Sequence, residues 1–181
     1  MKQLILDIQT RLGQAQMPEN YPRLRKNNRL FEYVDLDWGQ CDYFDRHPVK
    51  YPCALIDVNN ATYSNTGDLK QIGVISIQIR IIDLVLNNSS YQSPESQKDV
   101  AFAIFDLIAE TNRLLHGWGQ PVSNEKSGYG RLIKQQISKV NRRDGLREYK
   151  LLYSVQLTDN TAIPVHEQRK LIPTITAVRV G

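Results

Sequence analysis

The stretch QIGVISIQIRIIDLVL, from Gln71 to Leu86, decides the fold. Its β-branched residues alternate with polar ones, so that Ser76, Gln78 and Arg80 fall on the side opposite a row of isoleucines. That row consists of Ile75, Ile77, Ile79 and Ile81. Alternation with a period of two indicates a β-strand that is buried on one face. We therefore expect this strand to lie in an antiparallel sheet whose other face is open to solvent.

Two helices are predicted, one before and one after this strand. The first spans Lys2–Leu12 and ends at Gly13, because its apolar residues recur at helical spacing. The second begins at Ser93, which is placed to act as its N-cap, and ends before Gly117. Its apolar stripe consists of Ala101, Ile104, Phe105, Ile108 and Leu115. We expect this stripe to cover the isoleucine row.

The remaining strands are predicted from alternation and turn residues. Leu30–Leu36 and Tyr51–Asn59 precede the central strand, with turn chemistry at Asn60–Asp68, and the three strands indicate a β-meander. Tyr129–Val140 and Leu146–Leu157 are predicted to pair as a hairpin across an Asp-Gly turn. The predicted fold is α+β: a mainly antiparallel sheet with two helices packed on one face, plus a β-hairpin and a C-terminal extension.

Composition limits the class of protein. The chain has 181 residues, a net charge of +4 and 41% hydrophobic residues, which suits one domain with extensions. We expect residues 1–159 to form that domain, and 160–181 to form a tail or an extra strand at Leu171–Val180. The N-terminus shows no signal-peptide pattern and no apolar run spans a bilayer, so no membrane partner is expected. Cys41 and Cys53 lie in no metal or redox motif, so they form either a disulfide with each other or, as we expect, two buried free thiols, which suits a reducing cytoplasm.

An acidic loop is the best candidate for catalysis. It carries Asp35, Asp37, Asp42, Asp45 and His47, residue types that bind divalent metals in nucleases. These groups follow one another along an irregular segment, whereas a metal site needs ligands that converge from rigid elements. The preferred interpretation is that they cap turns. Because no nucleophile elbow and no phosphate-binding glycine loop occurs, we predict no catalytic residue, no metal site and no cofactor.

Two groups of residues are candidates for binding. Lys126–Lys150 holds eight basic residues against two acidic ones, a net charge of +6, so this hairpin either faces a phosphate backbone or is an edge kept unpaired by its charge. Its candidate DNA-facing residues are Arg142 and Arg143 at the turn, together with Arg80 on the polar side of the central strand. Trp38, Tyr43 and Phe44 are candidates for a subunit or partner interface, the alternative being that they pack locally.

Four stretches carry a family resemblance. They read VDLDWGQ at Val34–Gln40, YPCALIDVNNATYSNTGDLKQIGVISIQIRI at Tyr51–Ile81, SPESQKDVAFAIFDLIAETNRLLHGW at Ser93–Trp118 and DGLREYKLLYSVQLTD at Asp144–Asp159. In these the chain resembles the phage tail terminator, or tail completion, proteins of a prophage type. The resemblance covers roughly Met1 to Asp159. The basic insertion at Pro22–Arg29 and the tail after Asp159 depart from it.

The resemblance implies a structural protein without enzymatic activity. Such a protein forms a homo-oligomeric ring, commonly a hexamer, that terminates the tail tube and takes part in head–tail joining. Its expected partners are itself, the tail tube protein and the head–tail connector, with weak, non-specific contact to passing DNA. Its expected location is the bacterial host cytoplasm during assembly and then the virion. The alternatives are another neck or connector protein of the same virion and, less favoured, a metal-dependent nuclease.

Overall fold

A computed structural model of the protein describes residues 1–18, 28–42, 49–67, 69–119 and 128–162. Within them the chain forms two helices and a curled sheet of six strands, so the fold is α+β, as predicted. The helices are α1 (Lys2–Gly13) and α2 (Glu95–Leu115). The strands are β1 (Tyr33–Leu36), β2 (Cys53–Asn65), β3 (Gln71–Leu84), β4 (Gly128–Tyr129), β5 (Ile133–Val140) and β6 (Leu146–Asp159).

The sheet has the order β1-β2-β3-β6-β4, and β5 also pairs with β6. β3 is central and runs antiparallel to both β2 and β6. β1 lies parallel to β2, with Tyr33 opposite Cys53, so the predicted three-stranded meander is wrong in its first connection. Parallel pairing requires the chain to return to the starting end of the sheet. Local alternation does not reveal that return, which takes place between Leu36 and Cys53.

The predicted turn at Asn60–Asp68 is too long. β2 continues to Asn65, opposite Gln71. Beyond that pair, Thr66 N–H donates to Lys70 O, and Lys70 N–H donates to Gly67 O. Gly67 has φ +96°, a left-handed conformation that suits glycine. Cross-strand hydrogen bonds to β3 therefore override the turn preference of the Asn and Ser residues in this segment.

The main core lies between one face of the sheet and the two helices. The isoleucine row of β3 is fully buried there with Ile104, Leu107 and Ile108 of α2, which confirms the predicted packing. α1 buries Leu4, Ile5, Ile8 and Leu12 in the same core. One member of the predicted stripe is misplaced, because Phe105 is 48% exposed.

The start of α2 differs from its prediction. Pro94 occupies the N-cap position without a side-chain hydrogen bond, and the backbone N–H of Ser93 instead donates to Ser90 O. Ser93 is therefore one residue too early to cap the helix. Glu95 lies in the first turn, where a negative charge is favourable.

The predicted C-terminal hairpin is confirmed, with an interruption between β4 and β5. There the chain pairs with the segment after α2: Gly117 N–H donates to Leu132 O, and Leu132 N–H donates to Trp118 O. Gly119, at φ +134°, lies against the backbone of Gly130, so a side chain at this position would clash. The predicted strand at Leu171–Val180 lies outside the described residues.

Candidate functional site

The sheet face opposite the helices is partly covered by the chain between β1 and β2. A second apolar cluster lies there and consists of Cys41, Cys53, Leu55, Ile82 and Leu146. Tyr33, Val49 and Tyr51 pack around it. The expectation of a fully solvated second face is therefore wrong at this end of the sheet, where the segment that reverses the chain toward β2 packs on it.

Arg80 of β3 lies beside this cluster and binds three carboxylates. Its Nε is 2.7 Å from Glu148 Oε1 and its Nη1 is 2.8 Å from Asp37 Oδ2. Its Nη2 is 3.2 Å from Asp42 Oδ1. Glu148 is fully buried, and the side chains of Arg80 and Asp37 are each 9% exposed. Arg80 thus supplies the positive charge that makes burial of these carboxylates tolerable.

Arg142, in the turn between β5 and β6, binds two of the same carboxylates. Its Nη1 lies 2.9 Å from Asp42 Oδ1 and 2.8 Å from Glu148 Oε2. Its Nη2 donates to Asp144 Oδ2 at 2.6 Å and to the backbone oxygen of Cys41 at 2.7 Å. We call Arg80, Arg142, Asp37, Asp42, Asp144 and Glu148 the arginine–carboxylate network. It joins the loop after β1 to β3, to β6 and to the β5–β6 turn.

The two arginines and the carboxylates stabilise each other's charged forms. Burial alone would lower the pKa of Arg80, but hydrogen bonds to Glu148, Asp42 and Asp37 raise it above its ordinary value. Burial alone would raise the pKa of Asp42, but hydrogen bonds from Arg80 and Arg142 hold it below its usual range. The hydrogen bond from Arg142 likewise lowers the pKa of Asp144. Arg80, Asp42 and Asp144 are therefore charged at neutral pH.

The two cysteines adjoin the network. Both are buried free thiols, as predicted, with their sulfur atoms 3.8 Å apart. The hydrogen bond from Cys53 lowers the pKa of Cys41, and the charges of Arg80 and Arg142 act in the same direction. The same hydrogen bond, together with burial, raises the pKa of Cys53.

The arginines predicted to face DNA have different surroundings. Arg80 and Arg142 do not project into solvent, since their side chains are 9% and 10% exposed and their guanidinium groups bind carboxylates. Neither side chain lies on an open basic surface, because acidic groups distant in sequence fold onto both. Arg143 is exposed. Contact with DNA stays a prediction.

The basic charge of the hairpin is spread over both faces of the sheet. Lys139 pairs with Tyr149, whose ring packs toward the helices, whereas Lys150 pairs with Arg80 on the other face. Arg147 donates to the backbone oxygen of Ala101 on α2. Lys126 lies outside the described residues. The net charge of this stretch therefore does not form one continuous basic surface.

The candidate interface loop begins at the network. Trp38 is 51% exposed, and its backbone N–H donates to the side chain of Gln40. Gln40, itself buried, donates in turn to Leu36 O at 2.7 Å. Asp42 ends the described part of this loop, and Tyr43 and Phe44, which follow it, lie outside the described residues.

The carboxylates of the acidic loop have partners other than a metal. Asp37 and Asp42 bind arginines, and Asp35 accepts a 2.6 Å hydrogen bond from the Tyr33 hydroxyl. Asp45 and His47 lie outside the described residues. In the described parts of the chain, no group of three or more His, Cys, Asp or Glu side chains is arranged to hold a metal ion.

Glu148 binds both arginines, a role that the sequence does not reveal. In the sequence it is only a charge that interrupts a basic stretch. Its position opposite Ile82, on the same face as Arg80, follows from the β3–β6 register. Alternation along β6 places Glu148 and Lys150 on the face away from the helices, and that was the available signal. The sequence does not show that Glu148 binds Arg80, because 68 residues separate the two.

Comparison with known proteins does not identify a family for this chain. No protein-family model matches the chain, and no curated protein matches it. One solved structure, described as "Virion of native gene transfer agent (GTA) particle", is similar at a TM-score of 0.39 and 11% identity. The likeness covers 70% of this chain and 78% of that one. At this level it establishes neither a shared fold nor a function.

Neither helix within the described residues is long and apolar enough to cross a membrane.

Proposed function

We propose that the protein is a structural component of a phage or prophage virion, which forms a ring that terminates the tail tube and takes part in head–tail joining. In this proposal it acts by binding, in the host cytoplasm during assembly and then in the virion. The four stretches that resemble tail terminator proteins support the proposal. They include most of β1 and the start of the loop after it, all of β2, most of β3, all of α2 and all of β6.

The arginine–carboxylate network is the observation that carries the structural role. It fixes Asp37 and Asp42, at the two ends of a short loop segment, to the rigid central strands. Tyr43 and Phe44 follow Asp42 directly. A loop that starts from a fixed base loses less conformational entropy when it binds a partner. The network therefore suits presentation of a binding loop to a neighbouring subunit or to the tail tube.

The same network argues against the nuclease alternative. A Mg²⁺ site needs carboxylates that are free to accept the metal, and Asp37 and Asp42 each accept from an arginine. Another neck or connector protein of the same virion remains the second candidate. The two structural roles differ in partner: a terminator binds the end of the tail tube, whereas a connector binds the head.

The deciding measurement is the mass and symmetry of the protein in solution, alone and with tail tube protein. We expect a closed ring that caps the tube. Replacement of both Tyr43 and Phe44 by Asp should abolish ring formation or tube capping while the circular dichroism spectrum is unchanged. Tyr91→Asp is the matched control, because Tyr91 is an aromatic residue that is 94% exposed elsewhere on the surface. A monomer that ignores the tube would refute the proposal.

A nuclease assay tests the alternative directly. Supercoiled and linear DNA should remain intact when incubated with the protein and Mg²⁺ or Mn²⁺. Cleavage that disappears in the Asp42→Ala, Asp45→Ala double variant would replace the structural role with a metal-dependent one.

A further inference from the structure

Two strand segments at opposite edges of the sheet have no described strand paired with their outer side. On one side, β1 pairs with β2 only from Cys53 to Ile56, and a bulge follows between Val58 and Asn60. The regular run Asn60–Asn65 therefore has β3 on one flank and no described strand on the other. On the opposite side, the regular run Gln136–Val140 of β5 has β6 on one flank and no described strand on the other. Backbone N–H and C=O groups on such edges bind a further strand readily.

The two edges are complementary in direction. β2 and β6 each run antiparallel to β3, and β5 runs antiparallel to β6. It follows that β2 and β5 point in opposite directions on opposite sides of the sheet. If copies related by rotation stand side by side, β5 of one copy meets β2 of the next as an antiparallel neighbour. Antiparallel pairing is slightly more stable per residue than parallel pairing, because its hydrogen bonds are perpendicular to the strands and not slanted.

The side chains of the two edges are also complementary in one register. Tyr63 and Ile137 are large apolar residues, 37% and 43% exposed, and their partners Gly73 and Leu151 place both on the helix side of the sheet. When Tyr63 is set opposite Ile137, Thr62 falls opposite Ser138 and Asn60 opposite Val140. Aromatic and β-branched residues are a favourable cross-strand pair. No charged residue lies in Asn60–Asn65, so Lys139 meets no like charge.

The stagger between the edges fits a closed sheet. Within one chain, Thr62 of β2 pairs with Val74 of β3, which in turn pairs with Gln156 of β6. Ser138 of β5 pairs with Lys150 of β6, six residues before Gln156. At about 3.3 Å per residue this stagger is about 20 Å along the strand direction, and the four strands of one copy are together about 19 Å wide. The strands would then tilt by about 45°, which is the tilt that closed barrels adopt.

We propose that copies of the chain join head to tail by pairing Gln136–Val140 of one copy with Asn60–Ser64 of the next, so that one sheet continues around the ring. The inference rests on the proposed function and names the subunit contact within it. A head-to-tail contact between two different edges closes into a ring when the rotation returns to its start, whereas a self-complementary contact stops at a dimer.

Disulfide trapping tests this register. Thr62→Cys and Ser138→Cys are made as separate proteins, mixed, and oxidised with copper phenanthroline. The mixture should give a covalent dimer of twice the 20.8 kDa chain mass, with the 62–138 bond identified by mass spectrometry. Each variant alone should give at least tenfold less dimer. Within one chain the two positions are separated by about 14 Å across the sheet and by about 20 Å along the strands, which is too far for a disulfide.

The double variant and a control complete the experiment. Thr62→Cys, Ser138→Cys in one chain should give a ladder that ends at the ring. Ser89→Cys, at an exposed loop residue, should not cross-link with Ser138→Cys. Rings that form without a 62–138 bond would overturn the register and leave the proposed function standing. Monomers throughout would overturn both. Cross-linking that appears only after removal of residues 163–181 would show that the chain's own tail occupies an edge, and would also overturn the proposal.

Discussion

The two faces of the same sheet are stabilised in different ways. The helix side is an apolar layer in which the isoleucine row of β3 packs on α1 and α2. The other side combines a small apolar cluster with two arginines, four carboxylates and two thiols. Burial of apolar area is non-directional, whereas a buried ion pair is favourable only in good geometry and in the right protonation state. The helix side should therefore tolerate substitution better, and the network side should respond more sharply to single changes and to acid.

The largest effect is expected at the centre of the network. Arg80→Met should lower the free energy of unfolding by about 3–5 kcal/mol, because it leaves Glu148 and Asp37 buried without their main cation. Urea unfolding measures this loss. Arg143→Met, at an exposed neighbour of Arg142, should change it by no more than about 0.5 kcal/mol. If both variants behaved alike, the network would contribute nothing.

On the helix side, Ile77→Ala should cost about 2–5 kcal/mol, because Ile77 is fully buried and the shortened side chain leaves a cavity. Val74→Ala is the matched control on the same strand, since Val74 faces the other way and is 55% exposed. Thermal or urea unfolding measures the stability of both variants. An unchanged stability of Ile77→Ala would mean that the row faces solvent, contrary to the packing described here.

Acid should act on the network and not on the isoleucine row. The folded-state pKa values of Asp42 and Asp144 are lowered, so their contribution is present above the unfolded value of about 4 and is lost as pH falls below it. Asp42→Asn should therefore lose less stability between pH 5 and pH 3 than the parent chain. Ile77→Ala should lose as much as the parent. The effect is modest, about 1 kcal/mol or less, because the Asp42 side chain is 46% exposed. Parallel pH profiles for Asp42→Asn and the parent would contradict this assignment.

An effect of similar size is expected at Phe105. Its ring is half exposed and meets Tyr149 edge-on, with centroids 5.6 Å apart, so Phe105→Ala should cost about 1 kcal/mol. Leu107→Ala, two residues on and almost fully buried, should cost about 2–5 kcal/mol. Equal losses in urea unfolding would show that the orientation of α2 is not the one described.

Elements with strong local periodicity could be predicted from the sequence. The isoleucine row, the apolar face of α1, the position of α2 and the hairpin of β5 and β6 all follow from residue spacing, because these patterns are set by geometry within one element. Of the predicted site residues, the sequence identified Arg80, Arg142, Asp37 and Asp42 as chemically notable, but assigned the arginines to DNA and weighed the aspartates for a metal.

By itself, then, the sequence determined which segments are helices and strands and which face of each is apolar. Tertiary structure alone decided that β1 lies parallel to β2 and that Asp37, Asp42 and Glu148 converge on Arg80. These partners lie 43, 38 and 68 residues from Arg80 along the chain. Pairing at such separations depends on strand order and register, which no local pattern encodes. For that reason the sequence suggested DNA or a metal as the partner of these charged side chains, whereas in the folded chain they bind one another.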